Sequence, residues 1–255
     1  MKPNIDHAVK IFSSVSEQLG PEYLAYITLP NVVLTLCGAR AYCDGVFWSR
    51  DNKDLLGKWD KELSALMGVI KGQNVALWSD AVIEQTVAGD KYASYEFIVK
   101  DGLHYAITHT NLLGPIRFED IEAEASRAKI IELLVKNLKS QPALKEYPKE
   151  SLYDIAFGIL LGYPDKAILG TILRWNNNGP FEEPLIDADI RGASYYTCPQ
   201  PIYSYPRHLM TDPAICAHEK LWSGLLKDYY QSDFHTSLEK NDDFRAKVRE
   251  LGNPR

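Results

Sequence analysis

Between Ala81 and Thr110 the sequence alternates apolar and polar residues in three short runs, punctuated by Ala88-Gly89-Asp90 and Lys100-Asp101-Gly102. Asp-Gly between alternating runs is a hairpin signal, because both central positions of the tight turn need positive φ. Ala93, Tyr95, Phe97 and Val99 then share one face of the second run, and Leu103, Tyr105 and Ile107 one face of the third. The expected element is an antiparallel β-meander. An earlier β-branched run, Val32 to Leu36, punctuated by Gly38 and Asp44-Gly45, predicts one or two further strands between Asn31 and Phe47.

On either side of this region the apolar period changes to that of a helix. Val9, Ile11, Phe12, Val15 and Leu19 form one stripe, stopped by Gly20-Pro21; Leu55, Leu56, Trp59, Leu63, Leu66, Met67 and Ile70 form another. From Phe118 a long helix is predicted, with Ile121, Ala125, Ala128, Ile131, Leu134 and Leu138 inward. Ser151 with Asp154 predicts a capping box for a helix over 151–161, and Pro164 opens a second helix that stops at Asn176-Asn177-Asn178-Gly179. Asp212-Pro213 starts a further helix with Ile215, Trp222, Leu225, Leu226 and Tyr229 inward, and Phe244, Val248 and Leu251 dock a short last one. Helices, hairpin-connected strands and helices again do not make the βαβ alternation of a parallel sheet, so the expected fold class is α+β. One domain over 1–255 is expected, with a possible subdivision into a helix-plus-meander body, 1–140, and a mainly helical part, 141–255.

Charge narrows the partners. With 28 Lys and Arg against 34 Asp and Glu the net charge is −6, which argues against a phosphate-binding face and hence against nucleic acid. Arg127, Lys129, Lys136 and Lys139 lie among acids and read as the solvated face of a helix. The first residues carry no signal-peptide core, and the longest apolar run is broken by Gly158, Gly162 and Pro164, so no membrane partner and a cytoplasmic location are expected. Four irregularly spaced cysteines, Cys37, Cys43, Cys198 and Cys216, read as reduced thiols. No cofactor is required by any motif, and the partner to be expected is a protein or a small molecule.

The segment Ile155 to Asn178 contains Leu-Gly-Tyr-Pro between two helices. It resembles a signature of a family of uncharacterised bacterial proteins, a likeness over about 25 residues that implies a shared helix-turn-helix unit and no activity. Read from the residues, Gly162 supplies a left-handed cap, Gly158 and Gly170 let the two helices approach, and Tyr163 stands at a rigid corner where it can line a pocket.

Pro180 to Asp212 is rich in proline and tyrosine, too aromatic for a linker and too broken for long elements. An ordered loop with short strands follows from this, and the favoured function is recognition: Tyr195, Tyr196, Tyr203, Tyr205 and Arg207 line a groove against Tyr163. Chemistry offers three alternatives. Asp187 and Asp189, in Leu-Ile-Asp-Ala-Asp-Ile, have the look of a two-carboxylate element for a divalent cation, as a transferase or hydrolase would use. Cys198, His208, Cys216 and His218 are four potential zinc donors, but Cys216 and His218 are two apart on a predicted helix and point away from each other. A thiol nucleophile, Cys37, Cys43 or Cys198, with His104 or His109 as base is the third; an odd spacing puts those histidines on opposite faces of the predicted strand.

Overall fold

The structure, a computed structural model, describes residues 3–49, 53–73, 77–87, 90–122, 126–176, 185–190 and 203–251. Helix α1 (Ile5–Leu19) starts where the Asn4 side chain accepts from the Asp6 N–H, and ends at Gly20, whose φ of 114° suits glycine. A 3-10 turn, Pro21–Tyr26, leads into α2 (Pro30–Leu36).

Here the expected strand at Val32–Leu36 is overturned. Pro30 opens a helix, and all seven residues of α2 are buried. A segment covered on every side shows no period, so its β-branched residues mimic a buried strand; tertiary packing overrides their propensity. Thr35 Oγ1 donates to the Asn31 carbonyl one turn back, and Cys37 follows as the C-cap. The strand that was expected in this region is β1 (Tyr42–Ser49) alone.

Helix α3 (Lys53–Gly72) buries the stripe from Leu56 to Ile70. Strands β2 (Leu77–Val87) and β3 (Asp90–Val99) pair antiparallel, and β1 pairs with the other edge of β3, giving the order β1-β3-β2. Cys43 faces Phe97 and Gly45 faces Tyr95 in this register. A Cβ at Gly45 would stand 2.4 Å from the Tyr95 ring, so glycine lets that ring lie across the strand.

The third run of the meander is a helix, α4 (Lys100–His109). Gly102 is glycine for a reason other than a hairpin: a Cβ there would fall 1.8 Å from the Arg40 carbonyl oxygen. Close backbone approach, and not positive φ, explains it. Leu103 and Ala106 are buried one turn apart. The predicted long helix from Phe118 is two, α5 (Phe118–Glu122) and α6 (Arg127–Ser140). Ser126 caps α6 by accepting from Lys129 N–H, so the stripe restarts as Ile130, Ile131, Leu134, Val135 and Leu138, and Ala128 is exposed. Arg127, expected on a solvated face, instead pairs with Glu96 and donates to Tyr42 Oη at 3.0 Å.

Helices α7 (Lys149–Leu160) and α8 (Asp165–Asn176) follow. The expected capping box is absent: α7 starts after Pro148, which leaves Ser151 inside the helix and buried. A two-stranded ribbon, β4 (Leu185–Asp187) and β5 (Ser204–Pro206), comes next. Asp212 then caps α9 (Pro213–Tyr230) through Ala214 N–H, before α10 (Asp233–Leu238) and α11 (Asp242–Glu250).

Buried side chains form two clusters. One joins α1, α2, α3 and the Tyr95 face of the sheet to α9, α10 and α11; the other joins Tyr42 and Ile98 to α4, α6, α7 and α8. The described strands pair antiparallel and helix dominates, so the fold is α+β. Among the described residues no helix is long and apolar enough to cross a membrane.

Candidate functional site

The site is built on the corner between α7 and α8. At the end of α7 the Tyr163 N–H donates to the Gly158 carbonyl at 3.0 Å and the Gly162 N–H to the Ile159 carbonyl at 2.9 Å. This is the paired closure of a Schellman cap, with Gly162 at φ 75° in the left-handed position. Pro164 opens α8, its carbonyl accepting from Ala167 and Ile168. Gly158 lets Ile168 approach, since a Cβ there would lie 2.9 Å from Ile168 Cγ1. Gly170, expected to do the same for α7, faces Pro206 of β5 instead, where a Cβ would stand 2.8 Å from the Pro206 ring. The ribbon therefore sits on α8, and Thr171 Oγ1 donates to the Ser204 carbonyl at 2.9 Å.

Between corner and ribbon lies a cavity of about 280 Å³, walled by Phe157, Leu161, Tyr163, Ile168, Leu185 and Tyr203. Its polar lining is sparse: Asp154, Thr171 and Ser204. Ser204 Oγ is committed to Asp187, at 2.6 Å. No hydrogen bond or ion pair joins Asp154 to another described residue, and partial burial pushes its carboxyl up.

Behind the cavity stands an aromatic wall. The rings of Tyr163 and Tyr203 are 5.2 Å apart, Trp222 lies 6.2 Å from Tyr163 and 6.0 Å from Tyr203, and His218 lies 4.4 Å from Trp222. His218 closes the wall with both ring nitrogens. A carbonyl can only accept, so the 2.7 Å contact to Gly162 O puts the proton on Nε2. Nδ1 then accepts from Tyr203 Oη at 3.1 Å. Burial, with a smaller contribution from the Arg40 charge, lowers the His218 pKa to about 4 against the opposing Gly162 carbonyl. The ring is neutral at pH 7. Burial pushes the Tyr163 and Tyr203 hydroxyls up, and burial and Glu219 do so for Tyr205, which donates to Glu219 Oε1 at 2.8 Å.

Of the residues expected to bind, Tyr163 and Tyr203 come together and line the cavity. Tyr205 is buried behind them, and Arg207 is exposed in a 3-10 turn away from the lining. Tyr195 and Tyr196 lie outside the described residues, as does Cys198. Asp187 ends β4, and the Asp189 N–H donates to Glu219 Oε1 at 3.2 Å; among the described residues no three His, Cys, Asp or Glu side chains are grouped to hold a metal ion. Cys216 and His218 do share a helix, α9, with Cys216 donating to the Met210 carbonyl and His208 exposed in the preceding turn.

Cys37 and Cys43 are both buried, which pushes the Cys37 thiol up to about 12 and that of Cys43 higher still, the opposite of what thiolate chemistry needs. His104 and His109 are on helix α4 and not on a strand, so the facing rule applied to them fails; both are exposed. Phe157, Ile168 and Thr171 were not singled out from the sequence as lining residues, nor Arg40 and Trp222 as parts of the wall. The glycine spacing around Gly158 was the only signal for the first group. No family model, curated protein or solved structure matches the chain.

Proposed function

We propose that the chain is a binding protein that takes a small, mainly apolar ligand in the cavity between the α7–α8 corner and the β4–β5 ribbon. The supporting observation is the cavity itself: half open to solvent, lined by aromatic and aliphatic side chains, near the lower size limit of ligand sites, with Asp154 the one uncommitted polar group among its described lining residues. The polar atoms of His218, Tyr203 and Tyr205 in the wall are already hydrogen-bonded, to one another, to Gly162 and to Glu219, which favours recognition over chemistry. Neutral fragments of one ring, such as benzyl alcohol and cyclohexanol, test this in thermal melts. At ten times its Kd a bound fragment should stabilise the protein by about 1.4 kcal/mol. Leu161→Trp fills the cavity and should remove the shift. The reading fails if no such fragment moves the wild-type melt, or if the variant responds equally.

A further inference from the structure

Arg40 is clamped on both sides of its backbone. Its carbonyl lies against Gly102, and its Cα and Cγ lie 3.4 and 3.5 Å from where a Cβ of Gly162 would be. Ala41 next to it donates to the Leu160 carbonyl and accepts from Val99 N–H, both at 2.9 Å. The side chain is thereby directed inward, where it is only 2% exposed and covers the Trp222 ring at 5.7 Å. Yet among the described residues its Nε and Nη1 are buried with no hydrogen-bond partner, and no ion pair joins it to another of them. The Trp222 Nε1–H beside it is also buried with no partner among the described residues.

A buried guanidinium that has a ring face but no hydrogen-bond acceptor is costly for a fold to hold. All the orphaned atoms here are donors, so what is missing is an acceptor carrying negative charge. Among the described residues the nearby titratable groups do not supply it: His218 is neutral, Cys43 and Tyr163 are held protonated by burial, and Asp44 acts on the same groups without a bond to Arg40. A carboxylate fits either edge of a guanidinium, where Nε or Nη1 acts with the third nitrogen. Tyr163 connects this place to the cavity, because it lines the cavity and packs on Trp222.

We propose that Arg40 is a buried receptor for a carboxylate, the acid group of a ligand whose apolar body fills the cavity across Tyr163. The body's placement rests on the binding reading above; the carboxylate site does not.

Thermal melts of the whole chain at fixed pH, ionic strength and chloride test the two apart, using acetate, phosphate, benzoate and the neutral benzamide. Acetate and benzoate should raise the wild-type melting temperature, and benzoate should bind at least tenfold more tightly than benzamide. Arg40→Met should abolish the acetate shift and the benzoate advantage, while ligand-free it should melt no lower than wild type, since it removes an uncompensated charge. Should that variant not fold, Arg40→Lys, which keeps the charge but loses the two-pronged geometry, should cut the advantage of benzoate over benzamide. Equal binding of benzoate and benzamide, with no acetate shift, overturns the Arg40 site and leaves the cavity standing. An acetate shift lost in Arg40→Met, with benzamide, benzyl alcohol and cyclohexanol all inert, upholds the site and sinks the cavity reading. Phosphate acting as strongly as acetate through Arg40 overturns the assignment to a carboxylate.

Discussion

The Nε2–H of His218 donates to the carbonyl of Gly162 at 2.7 Å, pinning the middle of α9 to the turn between α7 and α8. Gly162 lies just past the end of a helix, where carbonyls lack a partner within the helix. The bond therefore satisfies a group that the corner would otherwise leave open, and it aims Nδ1 at Tyr203.

This pair makes stability depend on pH. His218 is lowered from 6.5 to about 4 in the folded protein, so between those values the unfolded chain takes up a proton that the folded one refuses. The contribution is complete above pH 6.5 and is lost as pH falls towards 4, a decrease of roughly 2–3 kcal/mol. Urea denaturation from pH 4 to 8 should show His218→Asn with a flatter slope in that window. Parallel curves for variant and wild type would rule the assignment out.

Gly162 and Gly224 should respond in opposite directions to alanine. At Gly162 the positive φ and a Cβ placed 2.8 Å from the Ala39 carbonyl oxygen together should cost about 2 kcal/mol or more. Gly224, inside α9 with nothing within 4 Å of its Cβ position, should gain roughly 0.5–1 kcal/mol. Chemical unfolding midpoints compare the two directly, and a loss at Gly224 as large as that at Gly162 would contradict the argument.

Lys247 is a nearly buried cation that donates to Glu62 at 2.8 Å, contacts Glu250 at 3.1 Å and lies over the Tyr26 ring. Tyr26 Oη donates to the same Glu62. Removing the cation leaves Glu62 only the Tyr26 hydroxyl and Lys58 at 3.8 Å among the described residues, so Lys247→Met should destabilise by roughly 1–3 kcal/mol. In a double-mutant cycle, Lys247→Met with Glu62→Gln should cost less than the sum of the two single changes; strict additivity would show that the pair is not coupled.

The thiols should separate by reactivity. Cys216 is exposed, whereas Cys37 and Cys43 are buried with raised pKa values. A mild electrophile at neutral pH, followed by peptide mass spectrometry, should mark Cys216 in the native protein and the other two only in urea. Labelling of Cys37 as fast as Cys216 would refute the burial argument.

Most helices were legible because their stripes face one side only, as from Leu56 to Ile70. The errors fall where that condition fails. Val32–Leu36 is covered all round and has no period to read. Leu103, Tyr105 and Ile107 alternate by coincidence, and the glycine before them marks an approach of Arg40 from far along the chain. Site legibility followed the same rule. Tyr163 was visible because Gly162 and Pro164 fix its corner locally, and the pairing of Tyr203 with it followed from the tyrosine density of its segment. Arg40 was not visible, since an arginine reads as surface until the fold shows two glycines pressed against its backbone.

The two cores also nest along the chain: buried residues of one run from Ala41 to Ile172, those of the other from Ala8 to Val248. During translation the inner core has all its side chains while the outer one still lacks Trp222, Leu226, Phe244 and Val248. Phe12 therefore lacks Tyr229 and Phe234, the rings it packs on, until the last helices leave the ribosome, so α1 and its neighbours should stay open to protease for longest. On stalled nascent chains ending at Met210, protease should cut within α1–α3 while sparing α6 and α7.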